Sequence, residues 1–201
     1  MLYKNQLLIQ NRKIKVYHEL DPLKLPWKKE KVDLVVESTG VFTKREEASK
    51  HIEAGAKSVL ITAPAKNPDC TIAFGINNKD LKKSHKIISA SSCTTNCLTQ
   101  LVKILHDNFK IKNAEFITTH AYTSSQHLID GDDRKDMRRG RAAALNIVPT
   151  SSGAEASVAE IIPELKGKVS GYALRVPVID GSITNLYAEV KKSVNVEKIN
   201  K

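Results

Sequence analysis

The stretch from residue 32 to residue 62 constrains the fold more than any other, because it reads as strand, helix and strand in succession. Residues 32–36 form a short apolar run, the pattern of a strand buried on both faces of a parallel sheet. Thr39-Gly40 ends it. Thr43 and Glu46 then stand at capping-box spacing, Ala48, Ile52 and Ala54 supply an apolar side, and Gly55 occupies the C-cap position, which predicts a helix over 44–54. A second apolar run at 58–62 follows. Parallel neighbours need a crossover, and a helix of this length provides one. The first part of the chain is therefore expected to be an α/β sheet, with further strands at 70–74 and 86–90 and a loop marked by Pro64 and Pro68. Ahead of it, Leu7, Leu8 and Ile9 face Ile14, Val16 and Tyr17 across a polar Asn11-Arg12 turn, a predicted hairpin that Asp21-Pro22 and Leu25-Pro26 close off.

After residue 93 the pattern changes. Leu98, Leu101, Val102, Leu105 and Phe109 recur at helical spacing from close to Thr94, which puts Cys93 at or next to a helix N-terminus. A strand at 114–119 leads into a long polar loop over 121–141 that holds Asp130-Gly131-Asp132-Asp133 and several arginines, and a loop of that length is expected to have a functional or interfacial role. A helix over 153–162 is stopped by Pro163, and long strands at 169–178 and 182–190 suggest an antiparallel sheet.

With 201 residues and 41% hydrophobic content the chain is long enough for one substantial core or two modest ones. Nothing in it approaches the run of about 18 apolar residues that a membrane helix needs, and residues 1–10 lack the basic start and apolar stretch of a signal peptide. No membrane partner is expected, and the cytoplasm is the expected location. Cys70, Cys93 and Cys97 are an odd count without the spacing of a disulfide framework, which fits a reducing compartment. The net charge of +10 admits nucleic acid, an anionic surface or small phosphorylated ligands. The lysines are scattered without interleaved aromatics or a zinc-finger or basic-zipper pattern, so nucleic acid is not the expected partner.

Ser91-Ser92-Cys93-Thr94-Thr95-Asn96-Cys97 carries the most chemistry. A cysteine at a helix start faces the positive end of the helix dipole, which favours the thiolate and makes a nucleophile of it. A free cysteine taken at random is a small buried hydrophobe, and that reading suits Cys70 and Cys97. Two thiols and His120 without a fourth ligand do not make a zinc site, and no metal is expected.

The same stretch, Ser92 to Cys97, resembles the active-site signature of the glyceraldehyde-3-phosphate dehydrogenases, and its neighbours match that family in order. Upstream these are Leu25-Pro26-Trp27, Glu37-Ser38-Thr39-Gly40-Val41-Phe42, Ala54-Gly55-Ala56-Lys57 and Ile61-Thr62-Ala63-Pro64-Ala65. Downstream they are Thr119-His120-Ala121-Tyr122-Thr123, Arg138 to Ala144, Pro149 to Ala154, Pro163-Glu164-Leu165 and Leu174-Arg175-Val176-Pro177. An ordered series is far more specific than any single motif. The resemblance implies an incomplete NAD-binding Rossmann-type domain over 1–92, followed by an incomplete α+β catalytic domain with an antiparallel sheet over 93–201.

It further implies phosphorylating oxidation of glyceraldehyde 3-phosphate in glycolysis, with NAD as cofactor and a homotetramer as the assembly. Cys93 would be the nucleophile that carries a thioester and His120 its base. Thr123 and Arg175, with Ser125 behind them, would hold the substrate phosphate, and Ser92, Thr94, Arg139, Ser152 and Gly153 the attacking inorganic phosphate. Thr39, Gly40 and Thr62 would meet the cofactor. Two positions depart from the family pattern. Ala90-Ser91 replaces the usual Asn-Ala, and Glu155 stands where a lysine is common, an acid beside the phosphate site. The nine glycines include no G-x-G-x-x-G, so the resemblance also implies that both ends are cut, that the cofactor site is incomplete, and that the chain alone is an inactive, associating species. Two other readings stay open: an erythrose-4-phosphate dehydrogenase with the same thioester chemistry, and a non-catalytic basic protein that binds partners or RNA.

Overall fold

The computed structural model of the chain describes residues 2–3 and 5–200; Met1, Lys4 and Lys201, which the expected domain bounds include, lie outside the described residues. The chain forms two compact units, Met1–Cys70 with Lys83–Ser89 and Thr71–Lys82 with Ala90–Lys201.

The first unit opens with three antiparallel strands, β1 (Leu2–Tyr3), β2 (Gln6–Ile9) and β3 (Arg12–Lys15), with Leu7 opposite Ile14. The hairpin turn falls on Gln10 and Asn11, one residue earlier than expected. Both have positive φ, 45° and 65°, as a two-residue turn with the twist of its strands requires. Arg12 is thereby released to pair with Ile9, while Val16 and Tyr17 lie beyond the ladder. Asp21 caps a short 3-10 turn by accepting from Leu23 N at 3.2 Å. The short helix α1 (Trp27–Glu30) follows Pro26.

Strand β4 (Leu34–Glu37), helix α2 (Arg45–Glu53) and strand β5 (Ser58–Ile61) are the expected crossover unit, with β4 and β5 parallel and Leu34 level with Ser58. The sheet continues in the order β4-β5-β7-β6, where β6 is Cys70–Thr71 and β7 is Ile87–Ser89. Helix α2 starts one residue later than expected: Lys44 is the N-cap, and Glu47 accepts from its backbone N–H at 3.3 Å. The cause is Thr43, whose carbonyl accepts from Lys66 N at 2.9 Å and so holds the chain extended up to that point. Gly55 has φ 109°, and a Cβ there would lie 2.5 Å from Lys28 Cβ, so the turn after α2 needs glycine twice over.

Ala48 and Ala56 pack with Val35, Val59, Ile61 and Ile87 into the core of this unit. The expectation that β4 is buried on both faces is not met. Val35 and Glu37 are buried, whereas Leu34 and Val36 on the opposite face are 47% and 55% exposed, because α2 covers one side of the strand only. Asp69 ties the edge of the sheet together. It accepts from Lys86 N at 2.8 Å and Ile87 N at 2.9 Å and pairs with Arg45. Burial alone raises the Asp69 carboxyl, but those N–H donors and the guanidinium outweigh it and hold the group down to about 2. A carboxylate with a depressed folded pKa contributes stability above its ordinary value and loses it as pH falls through the depressed one. Unfolding by urea should therefore show roughly 2 kcal/mol lost between about pH 4 and pH 2 through this group. Asp69→Asn should flatten that part of the profile, and an unchanged profile would remove the assignment.

In the second unit, α3 (Cys93–Phe109), β8 (Ile111–Ala121), β9 (Val148–Ser151), α4 (Ala154–Ile161), β10 (Val169–Val176), β11 (Ser182–Val190) and the short α5 (Val196–Ile199) follow in order. The sheet runs β11-β8-β10-β9. It is mixed rather than wholly antiparallel: β10 lies parallel to β8, and β11 is antiparallel to β8 on its other side. The connection from β8 to β10 runs through the long loop, β9 and α4, and is long enough to return β10 alongside β8 in the same direction, with β9 antiparallel on the other side of β10. Leu98 and Val102 from α3, Val158 and Ile161 from α4, and Phe116 and Val169 from the sheet form its core. Gly171 faces Phe116 across β8 and β10, and a Cβ there would lie 2.5 Å from the Phe116 ring.

Candidate active site

Ser92 starts α3 as its N-cap, its hydroxyl accepting from Thr95 N at 3.0 Å, and this makes Cys93 the first residue of the helix. Ser91, just ahead, has φ 58°, a left-handed conformation in which a non-glycine residue is strained. Asn96 reinforces the bend by donating to the carbonyls of Ala90 at 2.8 Å and Ser92 at 2.9 Å. Cys93 therefore sits at the positive end of a seventeen-residue dipole with its side chain exposed.

His120 comes from the end of β8, with Nε2 3.6 Å from the Cys93 sulfur. Its Nδ1 lies 2.7 Å from the carbonyl of Ala121. The parallel register sets Arg175 of β10 beside His120, and the guanidinium reaches Nδ1 at 3.0 Å and the Ala121 carbonyl at 3.1 Å. Burial depresses the Arg175 guanidinium below its ordinary value, the like charge of Arg139 adds to that, and Cys93 acts in the opposite sense. His120 and Arg175 thus gather beside the Cys93 thiol, with the Arg139 guanidinium near that of Arg175.

The remaining expected residues divide. Thr123 is exposed after β8, its hydroxyl 2.9 Å from that of Ser125. Gly153 is the N-cap of α4 with open space where a Cβ would stand, and Ser152 accepts from Ala154 N at 3.2 Å. The Ser92 hydroxyl thus caps α3 and that of Ser152 takes the first amide of α4, the same hydroxyls expected to meet phosphate. Thr94 lies in the first turn of α3 and Glu155 in that of α4. In the loop, Arg138 pairs with Asp136 at 3.0 Å and Arg141 with Asp130 at 3.2 Å. Arg139 is held less tightly, 3.8 Å from Asp136.

In the first unit, Thr39 and Gly40 follow β4 and Thr62 follows β5, at the carboxyl ends of parallel strands where open α/β sheets take ligands. Gly40 has φ 75° and nothing within 4 Å of a built Cβ. Thr62 donates to the Glu37 carbonyl from its N–H at 2.9 Å and its hydroxyl at 3.2 Å, which holds the two strand ends together. Residues 2–45 match the family model described as the NAD binding domain of glyceraldehyde 3-phosphate dehydrogenase, and residues 92–201 match the model of its C-terminal domain. The chain belongs to the glyceraldehyde-3-phosphate dehydrogenase family. It is 50% identical over 194 residues to the glyceraldehyde-3-phosphate dehydrogenase of Clostridium pasteurianum, covering 96% of this chain and 58% of that relative. The enzyme of Geobacillus stearothermophilus is 51% identical over 197 residues, 98% of this chain and 58% of the relative. That of Mycobacterium leprae is 54% identical over 179 residues, 89% and 52%. The chain thus spans little more than half the length of these relatives.

Three residues that were not among the expected site residues belong in the picture. Glu37 and His51 are buried against each other, and Trp27 bonds to His51. An isolated histidine in a helix gave no signal in the sequence, because its partners lie on a strand and on another helix. No helix among the described residues is long and apolar enough to cross a membrane.

Proposed function

We propose that this dehydrogenase-family protein oxidises glyceraldehyde 3-phosphate with inorganic phosphate in glycolysis, through a thioester on Cys93. The observation that carries the reading is the Cys93 sulfur at the N-terminus of α3, 3.6 Å from His120 Nε2. The helix dipole and an imidazolium both favour the thiolate, which attacks the aldehyde carbon. The imidazolium gives its proton to the oxyanion formed by that attack, and the neutral His120 takes the proton back from the hemithioacetal hydroxyl as hydride leaves. NAD, when bound, supplies the acceptor for the hydride that leaves the same carbon. Thr39, Gly40 and Thr62 would hold it, and the open space at Gly40 fits close approach by such a group. Phosphate attacks the resulting thioester and releases the acyl phosphate and the thiolate.

Arg175 and Thr123 hold the substrate phosphate, a role for which a guanidinium and a hydroxyl are suited. Arg139, Ser152, Gly153, Ser92 and Thr94 receive the attacking phosphate, helped by the N-terminal amides of α4. The first compact unit then carries cofactor contacts and the second the chemistry, and we place the domain division at residues 92 and 93, three residues after the unit boundary at Ser89 and Ala90. A cytoplasmic homotetramer is the assembly this reading favours, and the exposed Tyr172, Ile183 and Tyr187 on the outer sheet face support a subunit contact.

Selective alkylation tests the reading without turnover. Cys93 and Cys97 are both exposed and lie one turn apart on α3, so access does not separate them. Iodoacetamide near neutral pH, followed by peptide mass mapping, should modify Cys93 roughly tenfold or more faster than Cys97. Equal rates would sink the nucleophile assignment. Comparing glyceraldehyde 3-phosphate with erythrose 4-phosphate in an oxidation assay then decides between the two sugar phosphates.

A further inference from the structure

Glu37 and His51, each 4% exposed, are a buried carboxylate and imidazole in the first unit, and no step of the proposed chemistry uses them. We propose that Trp27, His51 and Glu37 form a buried relay that sets the conformation of the loop after β4, Ser38 to Gly40, and act as positioning residues for dinucleotide binding. The binding half of this statement rests on the dinucleotide reading above, and the loop half stands without it.

The relay has a defined direction. The Trp27 indole N–H can only donate, and it reaches His51 Nδ1 at 3.0 Å. Nδ1 therefore accepts, and the ring hydrogen lies on Nε2, directed at Glu37 Oε2 at 3.0 Å. The other carboxylate oxygen accepts from Thr39 N at 2.8 Å and from the Thr39 hydroxyl. Having given its hydrogen to Glu37, that hydroxyl accepts from Val41 N at 3.1 Å. Three donors thus converge on one side chain, two on Oε1 and one on Oε2. The Phe42 ring stands edge-on to His51 at 6.1 Å and closes the cluster from the loop's far side.

Apolar residues of similar size would hold α2 on β4 at least as well as this pair, since burying a charged and a polar group costs more than burying hydrocarbon. What the polar set adds is a loop whose backbone is fixed at both Thr39 and Val41, next to Gly40 with its positive φ and open space. A cleft of about 430 Å³ lies along this end of the strand, lined by Trp27, Val36, Glu37, Ser38, Thr39 and His51. A preformed loop spares a ligand the ordering it would otherwise have to impose.

Residue-resolved amide hydrogen exchange on the full chain, without dinucleotide, tests the loop half. Loss of a hydrogen bond to a buried charge should let the amides of Thr39 and Val41 exchange roughly tenfold or more faster in His51→Leu and Glu37→Gln, with Val59 in β5 unchanged. His51→Gln should restore protection, because its amide accepts from the indole and donates to the carboxylate, whereas a packing role would leave Leu and Gln alike. Trp27 is the single tryptophan, so its emission should shift in His51→Leu and return in His51→Gln. Should the buried variants fail to fold, exposed Thr39 decides: Thr39→Val should free Val41, and Thr39→Ser should not. Val41 exchange unchanged in Thr39→Val, or Leu and Gln indistinguishable at 51, would overturn the relay. NAD titrated by calorimetry into a version extended to the length of the relatives tests the other half, with affinity expected to fall roughly tenfold in every variant that loosens the loop. Loosened variants that bind NAD as tightly as wild type would overturn the positioning role. A wild type with protected amides and no NAD binding would overturn the dinucleotide reading and support the relay's hold on the loop.

Discussion

In a version extended to the length of the relatives, replacing His120 by asparagine is expected to lower kcat for oxidation of glyceraldehyde 3-phosphate by roughly 10² to 10⁴, the range for loss of a positioned general base, with little change in KM. The expectation follows from geometry. Nε2 at 3.6 Å from the sulfur is close enough to pair with the thiolate and, once a substrate carbon lies on the sulfur, to reach the new hydroxyl. Asparagine keeps a polar group there but cannot take a proton at neutral pH, so thiolate formation and proton removal should both suffer. The two losses can be read separately. Alkylation of Cys93 reports the thiolate alone, and it should slow in His120→Asn without reaching the rate of Cys97, because the α3 dipole remains. Steady-state rates report both. A kcat within a few-fold of wild type would remove His120 from the reaction.

Much of this site was legible before any coordinates, though unevenly. The apolar stripe from Leu98 to Phe109 announces a helix start at or next to Cys93, since periodicity is a local property of the chain. The crossover from β4 through α2 to β5 was legible for the same reason. Its details moved where a distant partner intervened: Lys66 holds Thr43 extended and delays α2 by one residue. The pairing of Cys93 with His120 came only from resemblance to a family, because two residues that far apart meet through the sheet and no periodicity encodes it. The parallel run of β10 beside β8 was missed altogether. Strands at the two ends of a helical connection look the same in sequence whichever neighbour they choose, and the expected antiparallel sheet assumed that β10 pairs with β11, whereas β8 lies between them. The relay through His51 was invisible for the same reason, its three members being brought together by packing alone.

That missed parallel pair places Arg175 on His120, and it leads to the other large effect. Nδ1 of His120 faces two partners with opposite demands. The Arg175 guanidinium can only donate and asks Nδ1 to accept, while the Ala121 carbonyl can only accept and asks Nδ1 to carry a hydrogen. An anion that draws Arg175 away leaves the carbonyl alone at 2.7 Å, so Nδ1 donates and Nε2 is left free to receive a proton beside Cys93. A substrate phosphate bound by Arg175 would then be held and would also set the tautomer that the base requires. Arg175→Ala is accordingly expected to raise KM for glyceraldehyde 3-phosphate by roughly 10- to 100-fold, the loss of hydrogen bonds to a charged group. Unphosphorylated glyceraldehyde has nothing for Arg175 to hold, and its kcat/KM should change little. Added inorganic phosphate gives a second readout: its effect on the rate of Cys93 alkylation should be smaller in the variant, which keeps only the phosphate site at Arg139 and Ser152. A KM increase of the same size for both aldehydes would place Arg175 in the structure of the site rather than on the phosphate.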